Sequence, residues 1–376
     1  MGQEIRESQF TDEDFTAFEE RLLMETALLE RWFQDDVFST TSARGGFELE
    51  AWLVDRNAEP TGIIEPFLER LQNPLVVPEL ATFNVELNGT PLALRGDALT
   101  RMADELQRTW AHCNRVAATL DARLGMIGIL PTVRPTHLTL NHMAPRQRYR
   151  ALNEQIFQLR RGRPVSLDIR GRDHLYQEQQ DVMLESAATS FQIHLKVTVQ
   201  EAERVLNLSR ILSGPMVAVT ANSPFLFGYS LWDETRIPLF EQSVSVGASR
   251  LSERVTFGLH YTQHSVMECF RSNLSRFPVL LPQLLDEPME RLPHLRLHNG
   301  TIWRWNRPLI GFDDSGQPHL RIEHRVVPAG PTVVDAIANA ALYFGCVQAL
   351  GEDPTPVEQR LGFAEAQDNF YQAARQ

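Results

Sequence analysis

Apolar positions recur at helical spacing in several long stretches of the chain. From Thr11 to Asp35, Phe15, Phe18, Leu22, Leu29 and Trp32 fall on one side of a helix, and Thr11 or Asp12 is placed to cap its start. Asp97–Leu124 repeats the form with Leu99, Met102, Leu106, Trp110, Val116 and Leu120. The same reading predicts helices over Pro145–Arg160, Val199–Leu212, Val333–Leu350 and Pro356–Ala374. Between them lie short segments in which apolar and polar residues alternate, the period of a strand.

Four of these strands share one property. In Gly46–Asp55, Phe47, Leu49, Ala51 and Leu53 take one face and leave Glu48 and Glu50 on the other. In Phe83–Asn88, Glu86 and Asn88 oppose Phe83, Val85 and Leu87. In Phe191–Thr198, Gln192, His194 and Lys196 oppose Phe191, Ile193, Leu195 and Val197. In Leu320–Val326, Arg321, Glu323 and Arg325 oppose Leu320, Ile322 and His324. Each face alone reads as a solvated strand surface. Together they concentrate carboxylates, an imidazole and arginines, and acidic strands brought side by side repel unless a cation lies between them. Carboxylate oxygens with an imidazole suit Mg²⁺ or Mn²⁺. The chain has no HExxH, CxxC or GxSxG, so zinc-hydrolase and serine-hydrolase readings lack support.

The element order is not a regular β-α-β alternation, and no GxGxxG follows a strand. An α+β fold with an antiparallel sheet is therefore expected, not a doubly wound nucleotide fold. No repeat or long Gly/Ser linker divides the 376 residues, so a single catalytic domain over 1–376 is expected, with helices 11–35 and 356–374 as peripheral elements.

Composition narrows the function. Asp and Glu outnumber Lys and Arg 48 to 36, for a net charge of −12, which argues against nucleic acid as a partner. Lys196 is the only lysine, so no P-loop exists and phosphate must be held by arginine, metal ions or backbone N–H groups. No stretch of about 18–20 consecutive apolar residues is evident, and the opening MGQEIRESQF lacks an apolar signal region. Cys113, Cys269 and Cys346 are far apart and read as buried thiols of a reducing compartment. A cytoplasmic protein with no membrane partner is the expectation.

The runs GFELEAWLVD, FNVELNGTP, MLESAATSFQIHLKV, GPMVAVTANSPFLFG with DETRIPLFEQS, and RIEHR, in this order from about Gly46 to Arg325, resemble glutamate–cysteine ligase family 2. These are carboxylate–amine ligases related in fold to glutamine synthetase and the guanidino kinases. The resemblance implies a curved antiparallel sheet with a concave active-site face and helices packed behind. It also implies that ATP phosphorylates the side-chain carboxylate of glutamate and that an amine, typically cysteine, displaces phosphate. The product would be γ-glutamylcysteine, a step of glutathione biosynthesis.

Position by position, the resemblance makes Glu48 and Glu50 a metal-binding pair and Glu86 a further ligand. Gln192 and His194 become a polar pair facing the metals, and Glu323 a late metal ligand. It assigns Arg325, with Glu50, to catalysis, and Arg236 to the substrate carboxylate. ATP, Mg²⁺ or Mn²⁺, glutamate and an amine are the implied cofactors and partners; a homo-oligomer is left open. Many relatives carry Asn at the position of His194 and Asp at that of Lys196. The extra positive charge here leaves the acceptor open and suggests that Lys196 holds an acidic substrate group. The Arg-rich stretch LRRGRPVSLDIRGRD reads as a charged surface loop, with ATP phosphates as the other use. Three alternatives remain: a ligase for another amine or carboxylate, a guanidino-kinase-like phosphotransferase, and a non-catalytic nucleotide- or metabolite-binding relative.

Overall fold

Alternation along four strands becomes one sheet. The computed structural model describes residues 4–41, 43–247 and 253–376, so the first three residues of the polar opening segment lie outside it. Its strands are β1 (Arg44–Val54), β2 (Val76–Pro78), β3 (Asn84–Asn88), β4 (Leu92–Ala93), β5 (Arg123–Gly125), β6 (Val165–Arg170), β7 (His174–Gln179), β8 (Phe191–Val197), β9 (Phe225–Leu226), β10 (Tyr229–Ser230), β11 (Asn306–Phe312) and β12 (Pro318–His324). Eight of them form a strongly curled, antiparallel half-barrel in the order β11-β12-β8-β1-β3-β2, with β4 and β5 also paired to β1. The hairpins β6–β7 and β9–β10 stand apart.

The register decides what the sheet displays. His194 faces Gly46 on one side and Glu323 on the other; Glu323 in turn faces Arg307. Glu48 lies between Gln192 and Asn88, and Glu50 lies opposite Glu86. Side chains alternate at every step, so these pairings gather the polar residues of the long strands into one band, and a one-residue slip would bury them against the helices.

The helices are α1 (Asp12–Gln34), α2 (Ile64–Leu71), α3 (Ala98–Ala118), α4 (Gln147–Leu159), α5 (Val199–Thr220), α6 (Arg236–Ser243), α7 (Met267–Arg276), α8 (Pro293–Gly300), α9 (Val333–Gly351) and α10 (Phe363–Arg375). Behind the sheet, α5 packs on β8, β11 and β12, and α9 and α10 pack on α5. His324, predicted on the apolar face, stacks on Tyr343 of α9 at 4.4 Å. On the other side, α1 packs against α7 and α8. Buried Glu25 of α1 accepts from the Leu295 N–H at 2.7 Å and pairs with His294 at 2.6 Å, fixing the start of α8.

Several boundaries differ from expectation. Thr11 does cap α1, through a reciprocal bond with Asp14. The helix predicted to Leu124 stops at Ala118, because Asp121 takes a left-handed conformation and Arg123–Gly125 joins β1 as a strand. The helix predicted to end at Leu212 runs through Pro215 to Thr220. Packing explains the override of local propensity: a Cβ at Gly214 would lie 3.2 Å from the backbone of Asn369, so α10 sits directly on this turn. The helix predicted from Pro356 is a 3₁₀ turn followed by α10, which begins after Gly362. Finally, α9 is long and apolar enough by composition to cross a membrane, but Ala336, Ala340, Tyr343 and Val347 pack into the core.

Candidate active site

The concave face and α8 enclose a cavity of about 230 Å³. Glu48 and Glu323 line it, and the curled sheet brings His194 against them, so that the three meet from three strands. All three are buried, and one ligand atom from each lies within 4.8 Å of the others. His194 Nε2 is 3.5 Å from Glu48 Oε1 and buried without a hydrogen-bond partner. Burial opposes charge on Glu48, while His194 and Arg321 favour it. Burial likewise opposes charge on Glu323, but Arg307, Arg325 and His194 hold it down at about 2. Arg307 makes a forked bond to Glu323, with Nε to Oε2 at 2.6 Å and Nη2 to Oε1 at 3.1 Å.

Farther along the same cavity, Glu50 is held by protein donors. Its Oε2 accepts from the Ser190 N–H at 2.7 Å, and its Oε1 accepts from Ser190 Oγ at 3.0 Å and Gln192 Nε2 at 2.9 Å. Glu86 accepts from Asn88 Nδ2 at 2.9 Å. Glu79 and Glu185 complete this acidic side. Burial, with Glu86 nearby and Arg325 opposing, pushes Glu50 up to about 7. Burial and the Glu50 charge likewise push Glu79 and Glu185 to about 7. Burial, Glu48 and Glu79 push Glu86 well above the carboxylate range. A cluster whose members retain protons for want of positive charge fits a divalent cation, which would supply that charge.

Arg325 lines the cavity beside both groups. Its buried Nη1 has no hydrogen-bond partner and lies 3.7 Å from Glu323 Oε2. Arg236 stands behind it, fully buried. Its Nε bonds Glu234 at 3.0 Å, Nη1 donates to the Arg325 carbonyl at 3.2 Å, and Nη2 donates to the Val326 carbonyl. Gln192 lines the cavity, whereas Lys196 does not; its Nζ donates to Ser39 Oγ at 2.9 Å and Thr41 Oγ1 at 2.6 Å. The Arg-rich stretch forms the end of α4 and the β6–β7 hairpin, and Arg161, Arg163, Arg170 and Arg172 are exposed.

Sequence reasoning missed Glu79, Glu185, Arg148 and Arg307, all of which line the cavity. Glu185 lies inside the quoted MLESAATSFQIHLKV, so a signal for it was present. Arg307 sits on β11, where Pro308 speaks against a strand. Glu79 has no alternating pattern around it, and Arg148 on α4 looks like the other arginines of an Arg-rich chain.

A model of glutamate–cysteine ligase family 2 matches residues 44–376. The chain belongs to this ligase family. The family assignment agrees with the fold, because a glutamate–cysteine ligase of Francisella tularensis, solved in complex with AMP, superposes with a TM-score of 0.54. The two are 11% identical over 90% of this chain and 72% of that one. A bifunctional glutathione synthetase from Pasteurella multocida aligns at a TM-score of 0.47 and 11% identity, covering 94% of this chain. The chain spans 43% of the length of that synthetase. No curated protein matches the sequence.

Proposed function

We propose that this family member is an ATP- and divalent-cation-dependent carboxylate–amine ligase whose 376 residues act as one catalytic domain. The observation that carries the reading is the buried convergence of Glu48, His194 and Glu323 at the edge of a cavity that Glu48, Glu323 and Arg325 line. Those three residues would hold one cation, and Glu50 with Glu86 would hold another. Bound there, Mg²⁺ or Mn²⁺ would neutralise phosphate oxygens and favour phosphoryl transfer.

The chain's own residues have separable tasks in this reading. Arg307 keeps Glu323 ionised and aimed into the cavity. Ser190 and Gln192 orient Glu50. Arg236 clamps the backbone of Arg325, and the unpartnered Nη1 of Arg325 is available to the transferring phosphoryl group. This makes Arg236 a positioning residue in addition to any contact with a substrate carboxylate. Glutamate is the carboxylate to be activated: its γ-oxygen attacks the terminal phosphorus of ATP, ADP leaves, and the amine then displaces phosphate to form the amide.

Cysteine is the acceptor that the family suggests. A second reading, in which a different amine takes its place, is favoured by the small side cavity described below. The test is ADP release from glutamate and a panel of amines with and without Mg²⁺, the product identified by mass spectrometry. Amide with stoichiometric ADP supports the ligase. A phosphoguanidine product would indicate the kinase-like alternative, and activity unchanged after exhaustive chelation would reject the cation seats.

A further inference from the structure

A second cavity of about 30 Å³ opens beside the first, and Glu50, Glu79, Glu185 and Arg325 line both. Its wall also includes Asn84, which lies on the same face of β3 as Glu86 and pairs with Trp52 of β1. Asn84 is 2% exposed, yet neither its Oδ1 nor its Nδ2 has a hydrogen-bond partner. Two unmatched buried amide atoms are costly, and buried polar groups normally find a partner in protein or bound solvent. The side cavity that Asn84 lines has room for such a partner.

Size and charge define that partner. The volume is that of about two water-sized groups. Three carboxyl groups face it, against two guanidinium groups; one of these, Arg236, is already bonded to Glu234. A compact cation with N–H donors supplies the positive charge that these crowded carboxyls lack and a donor for Asn84 Oδ1, whereas an anionic group would add further negative charge to them.

Resting on the ligase reading, we propose that this side cavity is the acceptor subsite. It takes ammonium or the unhindered head of a primary amine whose carbon bears no carboxylate. The seated nitrogen is beside Arg325, and the rest of a longer amine extends into the main cavity. An α-amino acid acceptor such as cysteine would bring its own carboxylate against Glu50, Glu79 and Glu185. The subsite thus selects against it.

Calorimetric titration of the full chain, with Mg²⁺ and a non-hydrolysable ATP analogue present, tests the subsite without turnover. The probes are methylammonium, glycine and tetramethylammonium, the last having the same charge but no N–H and too much bulk. Saturable binding is expected for methylammonium alone. Asn84→Leu, which fills the cavity without donors or acceptors, and Glu185→Gln, which keeps its shape, should each weaken it by about ten- to a hundredfold. If Asn84→Leu fails to fold, Glu185→Gln decides. Equal binding of glycine, no binding of methylammonium, or unchanged affinity in the folded variants would overturn the proposal. Methylammonium binding without amide formation from any amine would leave the subsite standing and count against the ligase reading instead.

Discussion

Two groups of glutamates line the same cavity and differ in ionisation. Glu323 is more deeply buried than Glu50, Glu79 and Glu185 but holds a forked arginine, and its carboxyl is kept at about 2. Glu50, Glu79 and Glu185, which line the same cavity, are bound by uncharged donors or face one another, and they sit near 7. Burial alone therefore does not set the charge of this site; the placement of arginine does. One side stands charged, while the other keeps its protons for want of a positive charge close by.

The sharpest way to break this contrast is Glu323→Gln. It leaves Arg307 buried without its partner, and such a change costs about 3–5 kcal/mol. Denaturant unfolding should show that loss together with abolished ADP release; unchanged stability would mean that Arg307 is paired elsewhere. Next in size is Arg325→Lys. Loss of the planar guanidinium should lower kcat by about 10²–10³-fold, equivalent to about 3–4 kcal/mol, with the fold intact. Wild-type turnover in the Lys variant would reduce Arg325 to diffuse charge.

A smaller effect comes from pH. The raised carboxyls bind more protons in the folded than in the unfolded state between about 4.5 and 7, so stability falls as pH rises through that window. These groups retain some contact with water, which limits the total to about 1–2 kcal/mol. Metal-free melting points should therefore decline from pH 5 to 8, and Mg²⁺ should flatten the slope. A rise over that range would mean that the acidic side is already ionised. By the same logic Glu50→Gln should abolish activity yet raise metal-free stability at pH 8 by about 1 kcal/mol. A lower melting point with normal turnover would make Glu50 structural.

Lys196→Met should do least. Its ammonium bonds two hydroxyls outside the cavity lining, so a stability loss of about 1 kcal/mol with little change in KM is expected. A large KM increase for one substrate would instead give Lys196 the role of holding an acidic group.

What could be read in advance follows from periodicity. Strand alternation put Glu48, Glu50, Glu86, Gln192, His194 and Glu323 on one face because a strand's two faces are written directly in every second residue. Helices with strong apolar spacing were legible for the same reason, except where tertiary contact overruled a local signal, as at Pro215 under α10. Glu79 and Arg148 enter the site from segments outside that alternation, and only tertiary packing brings them in. Apart from the local pair with Glu234, the bonds that occupy Arg236 and Lys196 link positions some 90 and 155 residues apart, which no local pattern encodes.

The central claim is that this cavity transfers a phosphoryl group from ATP to a carboxylate, and positional isotope exchange tests it without knowledge of the acceptor. ATP carrying ¹⁸O in the β–γ bridge would be incubated with the protein, Mg²⁺ and glutamate, with no amine added. Reversible acyl-phosphate formation predicts that the label scrambles into the non-bridging β positions, and that omission of glutamate or chelation of Mg²⁺ stops it. ADP formation with no glutamate-dependent scrambling would contradict the account.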